Sequence, residues 1–147
     1  MTSKQSIDTF VVLKKLKKDI QEAFQLLKVD AENEDFENIQ FIDVDDIQDE
    51  SFMRHNVQSI LNNLHEIQRD ISYLERPVTH KGLMVKQSNG RYSVEDYEIT
   101  SGTICEIMDD EEWILTRIEH SGDDYYAIDL GKGNSLSERL CRLRRKV

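Results

Sequence analysis

The sequence predicts an α+β protein with a helical hairpin or coiled coil at the N-terminal end and a small SH3-like antiparallel β-barrel after it. Up to Pro77, apolar residues recur at steps of three and four, which is typical of helices that bury one stripe. From residue 83 onward, short β-branched and aromatic runs alternate with turn sequences, which is typical of antiparallel strands. The predicted parts are a helical region at 1–78, with an acidic connector at 29–53, and a β-barrel domain at 83–147 with a basic C-terminal tail.

The first predicted helix spans residues 4–28, a run without glycine or proline. Its main apolar residues fall on one stripe of a helix with about 3.6 residues per turn. They are Leu13, Leu16, Ile20, Ala23 and Leu27.

The second predicted helix spans residues 51–76 and carries three heptads in which every seam position is apolar. The seam consists of Met53, Val57, Ile60, Leu64, Ile67, Ile71 and Leu74. Asp49 or Ser51 would cap its start, and Pro77 would end it. Because a helix with one apolar stripe is unstable alone in water, this helix must pair with the first helix, with the β-domain or with a second copy of itself. An antiparallel hairpin with the first helix is the simplest arrangement, and a homodimer through the same seam is the next.

The connector at 29–53 combines strong negative charge with apolar residues. It holds ten acidic residues and neither lysine nor arginine, so like charges oppose close packing. Apolar residues such as Phe36 and Ile39 interleave with the acids, which is unusual for a disordered linker. The sequence therefore predicts some order here, with a short strand or turn around Ile39 to Val44.

Six short strands are predicted in the C-terminal part, separated by turn signals of which Asn89-Gly90 is the strongest. The predicted strands are Leu83 to Gln87, Arg91 to Val94, Tyr97 to Ile99, Thr103 to Met108, Trp113 to Glu119 and Tyr125 to Leu130. So many short strands with tight turns favour a small barrel. The tail from Ser137 to Val147 is predicted as a short helix or as a last strand.

The chain lacks the sequence patterns of common catalytic and metal sites. Its two cysteines and four histidines show no ligand spacing, and there is no phosphate-binding loop or nucleophile elbow. The N-terminus has no signal-peptide pattern, and no apolar run reaches the ~20 residues of a membrane span. These observations predict a cytoplasmic protein that is not an enzyme and needs no cofactor or metal.

Charge provides the remaining functional signal, since the formal net charge is −10. Carboxylates exposed on turns and on the connector could imitate a nucleic-acid backbone and bind a basic groove. The candidate partner-binding residues are Asp43, Asp45, Asp46, Asp49, Glu50, Asp109, Asp110, Glu111, Glu112, Asp123 and Asp124.

The C-terminal tail has the opposite charge, with five basic residues among the last nine. They are Arg139, Arg142, Arg144, Arg145 and Lys146. This tail could contact nucleic acid, or it could fold back on the acidic surface of the chain itself.

The β region also resembles a family of small uncharacterised domains from phages, plasmids and conjugative elements of Gram-positive bacteria. The resemblance covers about residues 84–143 and rests on Gly90-Arg91-Tyr92, Tyr97 to Gly102, Ile104-Cys105-Glu106, Trp113-Ile114, Arg117 to His120 and Tyr125-Tyr126. It implies an SH3-like fold, a mobile-element origin and the cytoplasm of a bacterial host cell. By analogy with other small acidic proteins of mobile elements, it suggests an inhibitor of host defence of the anti-CRISPR type.

The leading hypothesis is thus a non-catalytic inhibitor whose acidic surfaces occupy the basic nucleic-acid groove of a defence protein, such as a CRISPR effector nuclease. One alternative is a nucleic-acid-binding accessory or regulator of a mobile element that acts through the basic tail. Another is a dimeric protein-interaction module joined through the helical seam. None of the three involves a membrane.

Overall fold

The computed structural model describes residues 7–146 and shows an α+β protein, with two helices followed by antiparallel β-sheets. The chain divides into two compact units, with the boundary between Glu75 and Arg76. The first unit contains helices α1 and α2, and the second contains strands β1 to β8.

Helix α1 (Thr9–Leu27) lies within the predicted range of 4–28, of which residues 4–6 are outside the described part of the chain. The carboxylate of Asp8 caps its start, because Oδ1 accepts a hydrogen bond from the Phe10 amide at 3.0 Å. Lys28 caps the end of the helix, because its backbone is left-handed and its amide donates to the Gln25 carbonyl.

Helix α2 (Ile47–Glu75) begins four residues earlier than predicted and ends just before Pro77, as expected. Neither Asp49 nor Ser51 caps it. Asp46 does so, since its Oδ1 accepts a hydrogen bond from the Gln48 amide at 2.8 Å. The helix therefore includes residues that the sequence assigned to the connector.

The two helices form an antiparallel hairpin in which Phe24 faces His65 and the Lys17 ammonium pairs with Glu75 at 3.2 Å. The apolar core of this unit contains Ile20 and Phe24 of α1 and Leu61 of α2. The predicted seam of α2 is therefore wrong in part. Leu61 is buried although it lies outside the seam, whereas Met53, Ile60, Ile67 and Leu74 remain substantially exposed.

The connector between the helices is ordered by its apolar residues. Ala31, Phe36 and Ile39 are buried and join the core of the hairpin. An isolated antiparallel bridge pairs Asp30 with Asp35, and the backbone around Ile42 forms a turn, so of the two structures predicted at 39–44 the turn is present.

The second unit contains eight short strands. They are β1 (His80–Leu83), β2 (Val85–Lys86), β3 (Tyr92–Val94), β4 (Tyr97–Ile99), β5 (Ile104–Asp109), β6 (Glu112–His120), β7 (Tyr125–Ala127) and β8 (Leu140–Leu143). Strand β1 was not predicted, and the tail forms the last strand, β8, rather than a helix.

These strands form a five-stranded sheet in the order β1-β8-β5-β6-β7 and a three-stranded sheet in the order β2-β3-β4, and all pairs are antiparallel. Both sheets contribute side chains to one apolar core, which includes Tyr92, Ile99, Ile107 and Ile118. The β-domain is thus two antiparallel sheets around a shared core, and its acidic residues lie both in strands, as Glu106 does, and in the turns between them.

Neither helix of the described chain combines the length and the apolar character that crossing a membrane requires.

Candidate anionic interface

The predicted acidic residues before and within the first turn of α2 divide into two groups. Asp46 caps the helix, and Glu50 pairs with Arg54 at 3.2 Å. Asp49 lies in the first turn, where its negative charge interacts favourably with the helix dipole. Asp43 and Asp45 are exposed and form no hydrogen bond or ion pair through their side chains with any residue in 7–146. Three of the five carboxylates in this group therefore have a structural role in the helix.

The β5–β6 hairpin carries the next predicted group. Asp109 and Glu112 are the last paired residues of the two strands, so Asp110 and Glu111 form a two-residue turn. Both turn residues have positive φ, 45° and 67°, as in the type I′ turns that suit tight hairpins. Asp109 pairs with Arg139 at 3.5 Å.

The acidic tip, defined here as Asp110, Glu111 and Glu112, is fully on the surface. Among residues 7–146, no side chain forms an ion pair or hydrogen bond with these three carboxylates. Three consecutive negative charges at a hairpin end are thus available to a partner.

Asp124 in the β6–β7 turn is used within the domain. It pairs with Lys86 at 3.4 Å and accepts hydrogen bonds from the Tyr125 amide at 2.8 Å and the Tyr92 hydroxyl at 3.3 Å. Burial alone would raise the pKa of Asp124, but these donors together hold the pKa below its usual value. Its neighbour Asp123 is exposed.

The two acidic turns of the β-domain do not form one patch. Strand β6 has nine residues and joins the acidic tip to the Asp123-Asp124 turn. Because each strand residue advances the chain by about 3.3 Å, these turns lie roughly 26 Å apart, at opposite ends of the strand.

The basic tail is largely engaged inside the β-domain. Arg142 donates two hydrogen bonds to Oε1 of Glu106, at 2.9 and 2.7 Å, and Arg144 donates one to Oε2 at 2.9 Å. Arg145 lies over the ring of Tyr97 and donates to its hydroxyl. Arg139 pairs with Asp109. Of the five basic residues predicted in the tail, Lys146 alone forms no ion pair, hydrogen bond or ring contact through its side chain within residues 7–146.

Glu106 is the main residue that the sequence analysis did not single out. It is 6% exposed and binds both arginines, while the Arg142 guanidinium lies 4.2 Å from the centre of the Trp113 ring. The signal in the sequence is a charged residue inside the otherwise apolar run Ile104 to Met108. Such a residue needs a partner once the strand is buried.

The remaining reactive groups do not assemble into a site within residues 7–146. No group of three or more His, Cys, Asp or Glu side chains in that range is placed to hold a metal ion. Cys105 and Cys141 are buried free thiols, and the pKa of Cys105 is raised far above its usual value by its hydrogen bond with Cys141 and by burial.

These observations define the class of the molecule: a two-unit α+β protein in which a helical hairpin precedes a small antiparallel β-domain with acidic turns. A family model described as "Domain of unknown function (DUF5348)" matches residues 81–144, so this domain accounts for nearly all of the β unit and none of the helices. Neither the curated proteins nor the solved structures contain a significant match to the chain.

Proposed function

We propose that the protein is a non-catalytic binding protein that inserts the acidic tip into a basic, nucleic-acid-binding groove of another protein. One observation carries this proposal. The tail arginines are held by Glu106, Asp109 and Tyr97, whereas the three carboxylates of the acidic tip have no partner among residues 7–146.

The physical basis is electrostatic. A basic groove holds counterions and favours a rigid row of negative charges, and the net charge of −10 steers the two molecules together. The two-residue turn fixes the backbone that carries the carboxylates, so binding has to order only their side chains. The exposed Asp43 and Asp45 provide a second, separate group of charges on the helical unit.

We further propose that the partner is a host defence protein such as a CRISPR effector nuclease, and that the chain acts as an anti-CRISPR-type inhibitor in the bacterial cytoplasm. This step rests on the resemblance of the β-domain to domains of mobile elements. The same resemblance supports an SH3-like type for the β-domain, and two antiparallel sheets around one core are compatible with it.

The alternative of nucleic-acid binding through the basic tail has less support. Phosphate binding needs arginines that face solvent, but Arg142 and Arg144 are committed to Glu106. Releasing them would leave a buried carboxylate without its cations.

The first test is affinity capture from a lysate of Gram-positive bacteria, with and without nuclease treatment, followed by binding measurements on the purified partner. Binding should weaken steeply as salt rises. The triple variant Asp110→Lys, Glu111→Lys, Glu112→Lys should lose roughly a hundredfold in affinity, because three attractive charges become repulsive.

The matched control is Glu22→Lys, Glu32→Lys, Glu66→Lys, which changes the net charge equally at exposed positions of the helical unit. It should lose much less affinity than the tip variant. Equal losses in the two variants, or affinity that is insensitive to salt, would show that the acidic tip is not the binding element.

A further inference from the structure

The helical hairpin leaves one apolar face open. Met53, Ile60, Ile67 and Leu74 of α2 follow one another at intervals of seven residues and are between 40% and 55% exposed. Seven residues are almost two helical turns, so these side chains form a nearly straight row. Their exposure shows that pairing with α1 covers only part of the apolar stripe of α2.

Helix α1 extends this face. Leu16 and Leu27 are also exposed, and on a helical wheel they lie to the same side of the buried Ile20 and Phe24. On α2, the exposed row lies to the corresponding side of the buried Leu61. In each helix, the exposed row is rotated about the helix axis in the same direction from the residues that contact the other helix. In an antiparallel pair, equal rotation places both rows on the same side, so they share one face.

The rim of this face is polar and acidic on the α2 side, where the next positions outward from the exposed row are Asn56, Asn63 and Asp70. On the α1 side, the corresponding row holds Asp19 between Val12 and Leu26, which are exposed and apolar. The basic residues of the two helices lie on the other side or on the back of the hairpin by the same wheel. They are Lys14, Lys15, Lys17, Lys18, Arg54 and Arg69.

We propose that this face binds an amphipathic helix of a partner protein, with an apolar stripe that is flanked on both sides by lysine or arginine. An apolar groove between two helices accepts a third helix through anchors at heptad spacing. Basic flanks would meet Asp19 on one rim and Asp70 on the other. A second copy of the chain would instead bring Asp19 and Asp70 against the same carboxylates under two-fold symmetry, which disfavours a homodimer through this face.

The test uses a fluorescein-labelled synthetic peptide of three heptads, with leucine at positions a and d and lysine at e and g. A control peptide carries glutamate at e and g. Fluorescence anisotropy with the full chain should show binding of the lysine peptide and none of the glutamate peptide. The variant Ile60→Gln, Ile67→Gln should weaken binding roughly tenfold or more, because two half-exposed anchors lose their apolar contact.

Two matched controls make the result specific. Val11→Gln, Ile42→Gln changes equally apolar, exposed residues outside the face and should leave affinity nearly unchanged. The rim variant Asp19→Asn, Asp70→Asn should weaken binding and reduce its salt dependence more than Glu22→Gln, Glu66→Gln does. This comparison still tests the face if circular dichroism shows that the isoleucine variant has lost helicity.

Three outcomes would overturn the proposal. They are equal binding of the glutamate peptide, unchanged affinity in both the isoleucine and the rim variants, and a dimer of the full chain in sedimentation that Ile60→Gln, Ile67→Gln dissociates. The last outcome would assign the face to a second copy. Because the lysine peptide is itself basic, the tip variant Asp110→Lys, Glu111→Lys, Glu112→Lys is a third control. It should leave the affinity for the peptide nearly unchanged, which separates this proposal from the proposed function.

Discussion

At the scale of single residues, Glu106 decides how the tail is used. A buried carboxylate is costly unless it is paired, and Glu106 is paired with the guanidinium groups of Arg142 and Arg144. The tail therefore continues the sheet as strand β8, and Glu106 and Asp109 compensate part of its positive charge within the domain. Sequence alone did not predict this pairing, because the partners lie 36 and 38 positions apart.

We expect Glu106→Gln to lower the free energy of unfolding by about 2 kcal/mol, since two arginines lose a charged partner but keep some contact with water. Urea denaturation followed by fluorescence of Trp113 measures this loss. The control is Glu119→Gln, which breaks the more exposed pair with Arg117 and should cost less than about 1 kcal/mol. Similar losses for both variants would mean that Glu106 has no special structural role.

At the scale of secondary-structure elements, the β5–β6 hairpin contains conformational strain. Residues Asp110 and Glu111 adopt positive φ, which costs a non-glycine residue about 1 kcal/mol and is most unfavourable for Glu111. Asn-Gly is the usual choice for such a turn. Acidic residues kept at a strained turn are consistent with a role in binding.

The variant Asp110→Asn, Glu111→Gly should therefore raise the free energy of unfolding by roughly 0.5–1 kcal/mol and weaken partner binding at the same time. Thermal denaturation gives the first quantity and the captured partner gives the second. Glu112→Gln removes a charge without altering the turn, so it should weaken binding without the gain in stability. A double variant that is no more stable than the parent would contradict the strained-turn interpretation.

The elements also show which features local sequence can predict. Most strands lie close to their predicted positions, because alternation and turn residues are local signals. The buried side of α2 was predicted less well. Its apolar stripe is wider than the contact with α1, so periodicity alone did not distinguish the buried Leu61 from the exposed Ile60. The seam residues that pairing with α1 leaves exposed are the ones that form the open face of the hairpin.

At the scale of the whole molecule, each unit has its own apolar core. The helical core is built around Phe24 and the β core around Ile107, and no residue between Ile7 and Lys146 belongs to both. Trp113, the single tryptophan, lies in the β unit, whereas ellipticity at 222 nm arises mainly from the helices. Two optical signals can therefore follow the stability of the two units separately in the full chain.

We expect Phe24→Leu to lower the free energy of unfolding of the helical unit by about 1 kcal/mol. The urea midpoint of the ellipticity signal should therefore fall, and the midpoint of Trp113 fluorescence should stay unchanged. Ile107→Val should do the reverse, because its lost methyl group leaves a cavity in the β core alone. If either substitution shifts both midpoints together, the units unfold as one. A partner bound to the open hairpin face would then stabilise the β unit as well, and partner binding at the acidic tip would stabilise the helices.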